Sequence, residues 1–559
     1  MPKTFLSAEN TLWITQFNRE HRRKVRVLHI GNIANNAYIN ARLLNDNGFD
    51  CDVLCYDYYH SMGCPEWDEA DFQGSIGDDF NPNWRQVDLC GFQRPRWFAQ
   101  GPIEICVDYL TARRKARTFL ASAHWVRLGL FNRTGRFLFV ARAVALVWRL
   151  WTRLNAAFRR AASVSTGKAF RGIAKRLGFL VGVPIAAVAS VPLALCFGAA
   201  RKLILDPLYS EAEGESYERA FQRRCRTLVD QWQMEYPERD DKLSLDDLQG
   251  YQNVIPGLKR LFKNYDIIVG YSTDPILPLL ADVSYFAFEH GTIRSIPYNP
   301  TIQGRLTALS YRMAVHIFVT NLDCRESASK LAPNRFTLIN HPFDEERIVE
   351  DAGTARARLE RQLNTNFLCF FPTRHDWVVG TGYADKANDM FFHAVAELKG
   401  DGIRVGVVCC SWGANIEETK SLLSELGIAE QVLWERPMAT AKFQRHVRAC
   451  DVVVDQFKLG AFGGIVYKSL AVGAAVLTYL NEKMTLEQYQ VMPPIINCDS
   501  KKEISCQLRR LHRDRSLLQG YRLESQRWMR EHHGKRSTIN KQVDQYRFFL
   551  KSRDEVAFP

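Results

Sequence analysis

A glycine cluster in the second half of the sequence has the residue types of an anion-binding loop. Residues 455–479 read DQFKLGAFGGIVYKSLAVGAAVLTY, with Gly460, Gly463 and Gly464 between the strand-like run CDVVV and a helix-like stretch that ends at Gly473. Backbone N–H groups at the start of such a helix are oriented donors for a negatively charged group. The segment therefore predicts an anion site, and the alternative is a structural turn between a strand and a helix.

Polar residues also follow several other strand-like segments. Ligands of open α/β sheets bind at the carboxyl ends of the strands, which is where these residues fall. Two parallel sheets whose polar edges face each other would form a cleft with polar walls. The residues concerned are Gly31, Asn32, Asn35 and Asn36, then His290 and Arg294, then Arg374 and His375, then Glu435, and finally Gly463, Gly464 and Lys468.

The segments between these loops alternate between strand and helix patterns. Residues 24–57 predict a βαβ unit, with the strand VRVLHI, the helix AYINARLLNDNG and the strand DCDVLCYD. Strand and helix patterns alternate again over 265–348. A second set of alternating strands and helices runs from FLCFFPTRHDW to AAVLTYL. The pattern predicts an α/β protein with two Rossmann-like domains. The loop GNIANN is not GxGxxG, so a dinucleotide is not implied.

Length and composition limit the class of protein. The chain has 559 residues, which suits two or three domains, and its 46% hydrophobic and 24% charged residues argue against global disorder. The 14 cysteines form no CxxC pair and have no zinc-type spacing, so we expect reduced thiols in a cytosolic protein. The N-terminus lacks an apolar signal core, and secretion is not expected.

One segment carries the excess of positive charge. Residues 111–205 contain 18 of the 74 Lys and Arg residues and none of the 61 Asp and Glu residues. Within it, 135–161 predicts a helix with four arginines, spaced seven, four and seven apart, on one face and a broad apolar surface elsewhere. This combination is typical of a helix in a membrane interface. A basic helix packed on the core and a nucleic-acid-binding helix are the alternatives.

An uncharged stretch, 177–200, follows with basic residues on both sides. About 20 apolar residues can span a bilayer, but Pro184 and Pro192 would kink such a helix. Basic flanks at both ends remove the asymmetry that orients a span, which favours a re-entrant segment on the cytoplasmic side. A full span and a helix buried in soluble protein are the alternatives.

The C-terminal half resembles retaining glycosyltransferases of the GT-B fold, glycosyltransferase family 4 in particular. The family's segment of strand, arginine, loop, lysine and helix is similar to FPTRHDWVVGTGYADKANDMFFHAVAEL, which offers Arg374 and Lys386, with Ala387 in place of a glycine. The family's glycine motif with two glutamates is similar to GAFGGIVYKSLAVG, except that Gly460 and Lys468 stand at the glutamate positions. LINHPFDEER resembles the family's interdomain segment.

The resemblance implies a nucleotide-sugar donor as substrate, with no cofactor and no metal ion. Arg374 and Lys386 would neutralise the diphosphate, His290 would lie near the transferring sugar, and catalysis would depend on positioning and on stabilising the leaving group. Lys468 cannot accept hydrogen bonds from a ribose, so it would bind an anionic group, pair with Asp455, or mark an inactive site. We assign donor binding to His375, Glu435, Gly463, Gly464 and Lys468, and the acceptor side to Gly31, Asn32, Asn35, Asn36 and Arg294.

The sequence thus predicts an N-terminal, acceptor-side domain at 1–110 and 206–343, a helical membrane-associating insertion at 111–205, a donor domain at 344–505 and C-terminal helices at 506–559 that pack back on the domains. We expect a membrane-associated glycosyltransferase of retaining type at the cytoplasmic face of the inner (plasma) membrane, peripheral or monotopic. Its partners would be a lipid-linked or surface-polysaccharide acceptor and an anionic membrane surface, and not nucleic acid. The alternatives are a nucleotide-sugar epimerase, a phosphorylase-like enzyme and a non-catalytic scaffold.

Overall fold

The computed structural model describes residues 5–56, 58–133, 217–380 and 385–557. The chain divides into two compact units, Met1–Arg133 with Arg224–Pro559, and Thr134–Arg223. Every described strand lies in the first unit. The predicted membrane helix at 135–161 and the apolar stretch at 177–200 lie outside the described residues.

A seven-stranded sheet in the order β5-β2-β1-β6-β7-β8-β9 forms the first half of this unit, and every neighbouring pair is parallel. From β1 the chain moves outwards through β2 to β5, then returns beside β1 with β6 and moves the other way. The gap between β1 and β6 is therefore the switch point of the sheet, where ligands of such folds bind. The strands are β1 Arg26–Ile30, β2 Asp50–Tyr56, β5 Phe98–Gly101, β6 Ile267–Tyr271, β7 Phe286–Glu289, β8 His316–Val319 and β9 Phe336–Leu338, with a separate hairpin of β3 Gly77–Asp78 and β4 Asn81–Pro82.

A second parallel sheet has six strands in the order β12-β11-β10-β13-β14-β15. The same reasoning puts its switch point between β10 and β13. The strands are β10 Leu368–Phe371, β11 Gly406–Cys410, β12 Val432–Glu435, β13 Val452–Val454, β14 Ala475–Thr478 and β15 Ile496–Asn497. The predicted pair of Rossmann-like sheets is confirmed.

Helices cover the sheets, as parallel strands require a crossover between neighbours. The described helices of the first half are α1 Ala8–His21, α2 Asn36–Asp46, α3 Pro65–Glu69, α4 Ile103–Arg114, α5 Thr118–Arg133, α6 Tyr217–Glu235, α7 Leu245–Gln249, α8 Ile255–Phe262, α9 Ile276–Leu280, α10 Ile302–Met313 and α11 Arg325–Leu331. Those of the second half are α12 Ala355–Leu363, α13 Asn388–Gly400, α14 Ile416–Glu425, α15 Thr440–Ala449, α16 Gly464–Val472, α17 Glu482–Tyr489, α18 Lys501–Arg513, α19 Ser516–Trp528 and α20 Lys535–Ala557.

The central strands are apolar along their whole length. The LCFF of β10, the GVVCC of β11 and the VVV of β13 are fully buried. A strand with helices on both faces has no solvent side, so its sequence is a continuous apolar run and not an alternating one. Polar residues then occur mostly where such strands end, and those inside a strand, such as Asp52 of β2, are paired with partners within the protein.

The last helix, α20, returns to the first sheet. Ile539, Val543, Tyr546 and Leu550 are buried in the hydrophobic core that also contains strands β1, β2, β6 and β7. Their spacing of four, three and four places them on one helical face. The C-terminus therefore completes the core of the N-terminal half and ties the two halves into one unit.

The basic segment begins within this unit. Arg113 Nη1 lies 2.5 Å from Asp52 Oδ1, and Arg114 Nε lies 2.5 Å from Asp52 Oδ2, while Arg114 also pairs with Asp50. These two arginines compensate carboxylates of β2 and are structural. Among the helices that the structure describes, none is both long enough and apolar enough to cross a bilayer.

The packing of α20 predicts that two substitutions of its aromatic residues differ strongly in their effect on the free energy of unfolding. Tyr546→Ala removes a fully buried ring and should lower the free energy of unfolding by about 3–5 kcal/mol. Phe548→Ala, two residues away and 74% exposed, should change it by less than about 0.5 kcal/mol. Chemical denaturation followed by circular dichroism measures both. Equal effects would mean that the helix does not belong to the core.

Candidate functional site

The switch point of the second sheet is built by Thr373, Asp455 and the glycine loop. Thr373 follows β10 and donates from Oγ1 to Asp455 Oδ1, which follows β13, at 2.8 Å. A Cβ atom on Gly463 would lie 3.5 Å from Asp455 Oδ2. The loop that carries the glycine cluster therefore lies directly against the place where the strand order reverses.

Gly460, which occupies a glutamate position of the resembled motif, has a backbone reason to be glycine. Its φ is +68°, in the left-handed region, and a Cβ there would lie 3.1 Å from Tyr479 Cε1. Gln456 Oε1 accepts hydrogen bonds from the N–H groups of Lys458 and Leu459, at 3.0 and 2.6 Å. The loop is thus folded around the Gln456 side chain.

The start of α16 offers unused hydrogen-bond donors. Gly463 is the N-cap residue, it has ordinary extended φ, and no side chain caps the helix there. The N–H groups of Gly463, Gly464 and Ile465 precede the first intrahelical bonds and have no acceptor within the helix. These groups and the helix dipole favour a negative charge at this position.

Lys386 is held at the same edge by its backbone. Its N–H donates to the carbonyl oxygen of Asp376 at 2.6 Å, and its carbonyl accepts from Phe457 N–H at 2.9 Å. Among the described residues, no carboxylate lies within 4.0 Å of the Lys386 ammonium. Burial lowers the pKa of Lys386, and the charges of Arg374 and Arg294 lower it further against the opposing effect of Asp455. The structure thus brings an incompletely compensated lysine together with two arginines.

Arg374 and Arg294 reach this lysine from different sheets. Arg374 follows β10, lies 3.5 Å from Asp376 Oδ2 and stands over the Trp412 ring at 5.9 Å. Arg294 follows β7 of the first sheet, and its Nη2 donates to Asp323 Oδ1 at 2.9 Å. Arg294 was expected on the acceptor side, which stays a prediction, and its charge also lowers the pKa of Lys386 in the second half.

Lys468 does not pair with Asp455. Its ammonium lies 3.6 Å from Asp68 Oδ1, on helix α3 of the first half. Asp68 also accepts from Asn35 Nδ2 at 2.8 Å and from Thr440 Oγ1 at 2.6 Å. Asp68 therefore connects a loop of the first sheet with helices α15 and α16 of the second.

Two predicted acceptor-side asparagines are engaged within the protein. Asn32 donates to Asn35 Oδ1 and to the Gly63 carbonyl, each at 2.8 Å, and its Oδ1 accepts from Tyr38 N–H at 2.9 Å. Asn35 donates to the Cys64 carbonyl and to Asp68. Both side chains are buried. The expectation that they contact an acceptor is corrected: they hold the loop after β1 in shape.

Asn36 orients His290. Its Nδ2 lies 3.3 Å from His290 Nδ1, and an amide N–H facing Nδ1 makes that nitrogen the acceptor and leaves the proton on Nε2. His290 Nε2 is inaccessible to solvent and has no hydrogen-bond partner among the described residues. Burial lowers the pKa of His290 to about 3, so the ring is neutral at physiological pH.

His290 belongs to a column of parallel rings that joins the two halves. It stacks on Tyr271 of β6 at 5.5 Å and on His341 at 6.4 Å, and His341 stacks on Tyr467 of α16 at 5.5 Å. Tyr467 stacks in turn on His533 at 5.0 Å. Burial, then Arg294 and Lys468, lower the pKa of His341 to about 4. The column is uncharged, and it runs through the interdomain segment LINHPFDEER.

His375 and Glu435, which were both predicted to bind the donor, contact side chains of the protein. His375 is fully buried, with its ring 5.1 to 6.1 Å from those of Phe371, Phe392 and Trp434. Its side chain packs among these rings, and its assignment to the donor stays a prediction. Glu435 ends β12 and forms ion pairs with Lys442 at 2.7 Å and Arg358 at 3.3 Å.

A carboxylate that the sequence reasoning missed lies at the switch point of the first sheet. Asp274 follows β6 in the segment YSTDP, and its Oδ2 lies where a Cβ on Gly31 would be. Gly31 follows β1 with a φ of +88°. The polar end of this strand was visible in the sequence, but only the strand order puts Asp274 against Gly31.

Within the described residues, no group of three or more His, Cys, Asp or Glu could hold a metal ion.

No family model matches the chain, and no curated protein matches it. Among solved structures, it is similar to HepE of Anabaena in complex with UDP and glucose, at 13% identity over 61% of this chain and 98% of that chain, with a TM-score of 0.44. It is similar to the sucrose-phosphate synthase of Thermosynechococcus elongatus, at 13% identity over 54% and 79% of the chains, with a TM-score of 0.41. A glycosyltransferase of Rickettsia africae has 10% identity over 59% and 95%, with a TM-score of 0.40. At TM-scores below 0.5, these likenesses carry no argument about the family or the activity of this chain.

The backbone conformation of Ala387, which lies beside Lys386, predicts that glycine at this position stabilises the protein. Its φ of 50° and ψ of 44° are left-handed, a conformation that costs an L-residue about 1–2 kcal/mol and glycine almost nothing. Because glycine loses about 0.5–1 kcal/mol more backbone entropy, Ala387→Gly should raise the free energy of unfolding by up to about 1 kcal/mol. Ala396→Gly, inside helix α13, should lower it by about 1 kcal/mol. Urea unfolding compares the two, and a loss of stability in both variants would contradict the assigned conformation.

Proposed function

We propose that the protein is a glycosyltransferase that binds a nucleotide-diphosphate-sugar at the carboxyl edge of the second sheet and transfers the sugar to an acceptor at the edge of the first. The observation that carries this proposal is the charge around Lys386. A partly buried ammonium without a carboxylate at ion-pair distance is costly, and two guanidinium groups nearby increase the cost. An anionic ligand would remove it.

A diphosphate fits this arrangement better than a single phosphate. Arg374 and Lys386 come from the loop after β10, Arg294 comes from β7, and the free N–H groups come from the start of α16. Donors that arrive from three separate elements suit an anion whose charge is spread over two linked phosphates. A diphosphate is also a good leaving group when its developing charge meets fixed cations and dipoles, because these need no rearrangement during the reaction.

His290 supports a sugar next to the phosphates. Its neutral ring carries an unpartnered Nε2 and is joined through His341 to Tyr467 of the helix that begins at the glycine loop. A neutral imidazole N–H can donate to a sugar hydroxyl without competing for the diphosphate. We assign His290 the task of orienting the transferred sugar.

The acceptor side of the proposal depends on the sequence of 111–205. Eighteen basic residues without an acidic one, next to an uncharged stretch, suit an anionic bilayer, where each basic residue near the surface contributes about 1 kcal/mol. An enzyme held on the cytoplasmic face of the inner membrane can reach an acceptor that is anchored there. We therefore propose a lipid-linked or surface-polysaccharide acceptor.

Lys386→Met is the direct test of the phosphate assignment. The substitution keeps the length of the side chain and removes its charge, so the affinity for UDP or GDP should fall about 10- to 100-fold, as expected for one charge-assisted hydrogen bond. The affinity for the matching monophosphate should fall much less. Isothermal titration calorimetry measures both, and the ratio of the two affinities isolates the contact with the second phosphate.

The matched control is Lys502→Met, an exposed lysine at the start of α18. It removes the same charge from the same half of the protein and should leave both affinities unchanged. The free energy of unfolding of Lys386→Met should not fall, because folding already disfavours the charged form of this lysine. Wild-type protein that binds neither UDP nor GDP would favour a non-catalytic scaffold, and conversion of the bound sugar without an acceptor would favour an epimerase.

Membrane association is tested by deleting 135–200. The full chain should sediment with vesicles that contain 30% phosphatidylglycerol at 50 mM salt. Release at 500 mM salt would indicate a peripheral, electrostatic contact, because exposed charges are screened, and retention would indicate an inserted apolar segment. The deleted chain should stay in solution while its affinity for UDP or GDP is unchanged, which shows that it is folded. Sedimentation of the deleted chain would place the membrane contact elsewhere.

A further inference from the structure

The carboxylate of Asp274 lies at the switch point of the first sheet, where folds of this kind form their ligand crevice. It follows β6, and Gly31 follows β1, so the two residues flank the switch point. Only glycine fits at 31, because a Cβ there would overlap Asp274 Oδ2 and because its φ is +88°. The backbone after β1 is therefore shaped around this carboxylate.

Asp274 forms no ion pair with any cation of the described residues. Tyr56 Oη donates to Oδ1. Among the described residues, Oδ2 has no hydrogen-bond donor and no cation lies within 4.0 Å of the carboxylate. The other titratable groups around it are Cys55 and the phenols of Tyr251 and Tyr311. Burial raises the pKa of Asp274 to about 7, and the hydrogen bond from Tyr56 opposes that shift.

The loop of Asp274 is connected to the cationic site. Ser272 Oγ lies 2.8 Å from Thr292 Oγ1, and Tyr311 Oη donates to the Ser272 carbonyl at 2.9 Å. Thr292 lies in the same turn as Arg294, whose charge lowers the pKa of Lys386. Hydrogen bonds therefore connect the loop of Asp274 to the turn that carries Arg294.

We propose that Asp274 is the general base that activates the acceptor hydroxyl. This inference rests on the proposed function. The acceptor oxygen forms a bond to the anomeric carbon of the donor while the bond from that carbon to the diphosphate oxygen breaks. The hydroxyl proton passes to Asp274 Oδ2, and the diphosphate leaves with the bonding electron pair, neutralised by Arg374 and Lys386.

A base on the acceptor side serves a single displacement, which inverts the anomeric configuration. The sequence predicted retention, from a resemblance whose two glutamates are replaced here by Gly460 and Lys468. A base with a pKa near the working pH is also the most effective one, since it is ionised and still basic enough to take the proton. The inference therefore includes inversion, in place of the retention expected from the sequence.

The test measures release of nucleoside diphosphate from UDP-glucose, UDP-N-acetylglucosamine and GDP-mannose between pH 5 and 9, with water and p-nitrophenyl hexosides as acceptors. The wild-type rate should rise through a midpoint near pH 7, because the base must be ionised. Asp274→Asn should lose at least about 100-fold in rate and lose the pH dependence, while its affinity for UDP or GDP is unchanged. Sodium formate should restore part of the rate of Asp274→Ala.

Two controls separate catalysis from structure. Tyr56→Phe removes the hydrogen bond that lowers the pKa of Asp274, so its midpoint should move to higher pH with little loss of the maximal rate. Asp282→Asn changes an exposed aspartate just beyond α9, which pairs with Arg224 at 2.9 Å, and should leave the rate and the midpoint unchanged.

Three results would overturn the inference. They are an unchanged rate in Asp274→Asn, a product that retains the anomeric configuration of the donor, and a wild-type protein that binds the nucleoside diphosphate but never releases it from a donor. Absence of nucleotide binding in the wild type would instead overturn the proposed function.

Discussion

Positive charge from two sheets acts on Lys386, which has no carboxylate at ion-pair distance among the described residues. Asp323 pairs with Arg294 and Asp376 lies 3.5 Å from Arg374, while Asp455 and Asp376 act on Lys386 only from a greater distance. Burial raises the pKa of Asp455, so this carboxylate is itself poorly solvated. Like charges in a partly desolvated site repel each other strongly. The surrounding fold has to hold them together until an anion binds.

Contacts between the halves supply that restraint. Asp68 binds Asn35 on one side and Thr440 and Lys468 on the other, so the loop after β1 is fixed relative to helix α16. The ring column does the same through His341 without adding charge, because burial keeps its histidines neutral. Helix α20, which follows the second sheet in sequence and packs on the first, closes the connection.

The sequence predicted the elements well and the contacts between them poorly. Continuous apolar runs mark buried parallel strands, so β1, β2, β6, β10, β11 and β13 could be recognised from composition alone. Arg374 and the glycine loop could be singled out because they follow such strands, whereas Lys386 was singled out only through the resemblance to a known family. The burial of His375, the internal hydrogen bonds of Asn32 and the approach of Arg294 to Lys386 depend on the order of strands in each sheet. That order is set by long-range packing, and no local pattern encodes it.

The two switch points differ in electrostatic character, and under the proposed function this difference would decide which substrate binds at each of them. The second sheet presents Arg374, Lys386 and free amide groups, whereas the first presents Asp274 and, among the described residues near it, no compensating cation. The cations and amide groups of the second sheet would attract a diphosphate, and an ionised Asp274 on the first sheet would repel it. Only one orientation of the donor is then favourable. An uncharged hydroxyl is not repelled by that carboxylate and can donate to it. Lys468 then needs no ligand role, because its charge already serves the contact with Asp68 that holds the two edges together.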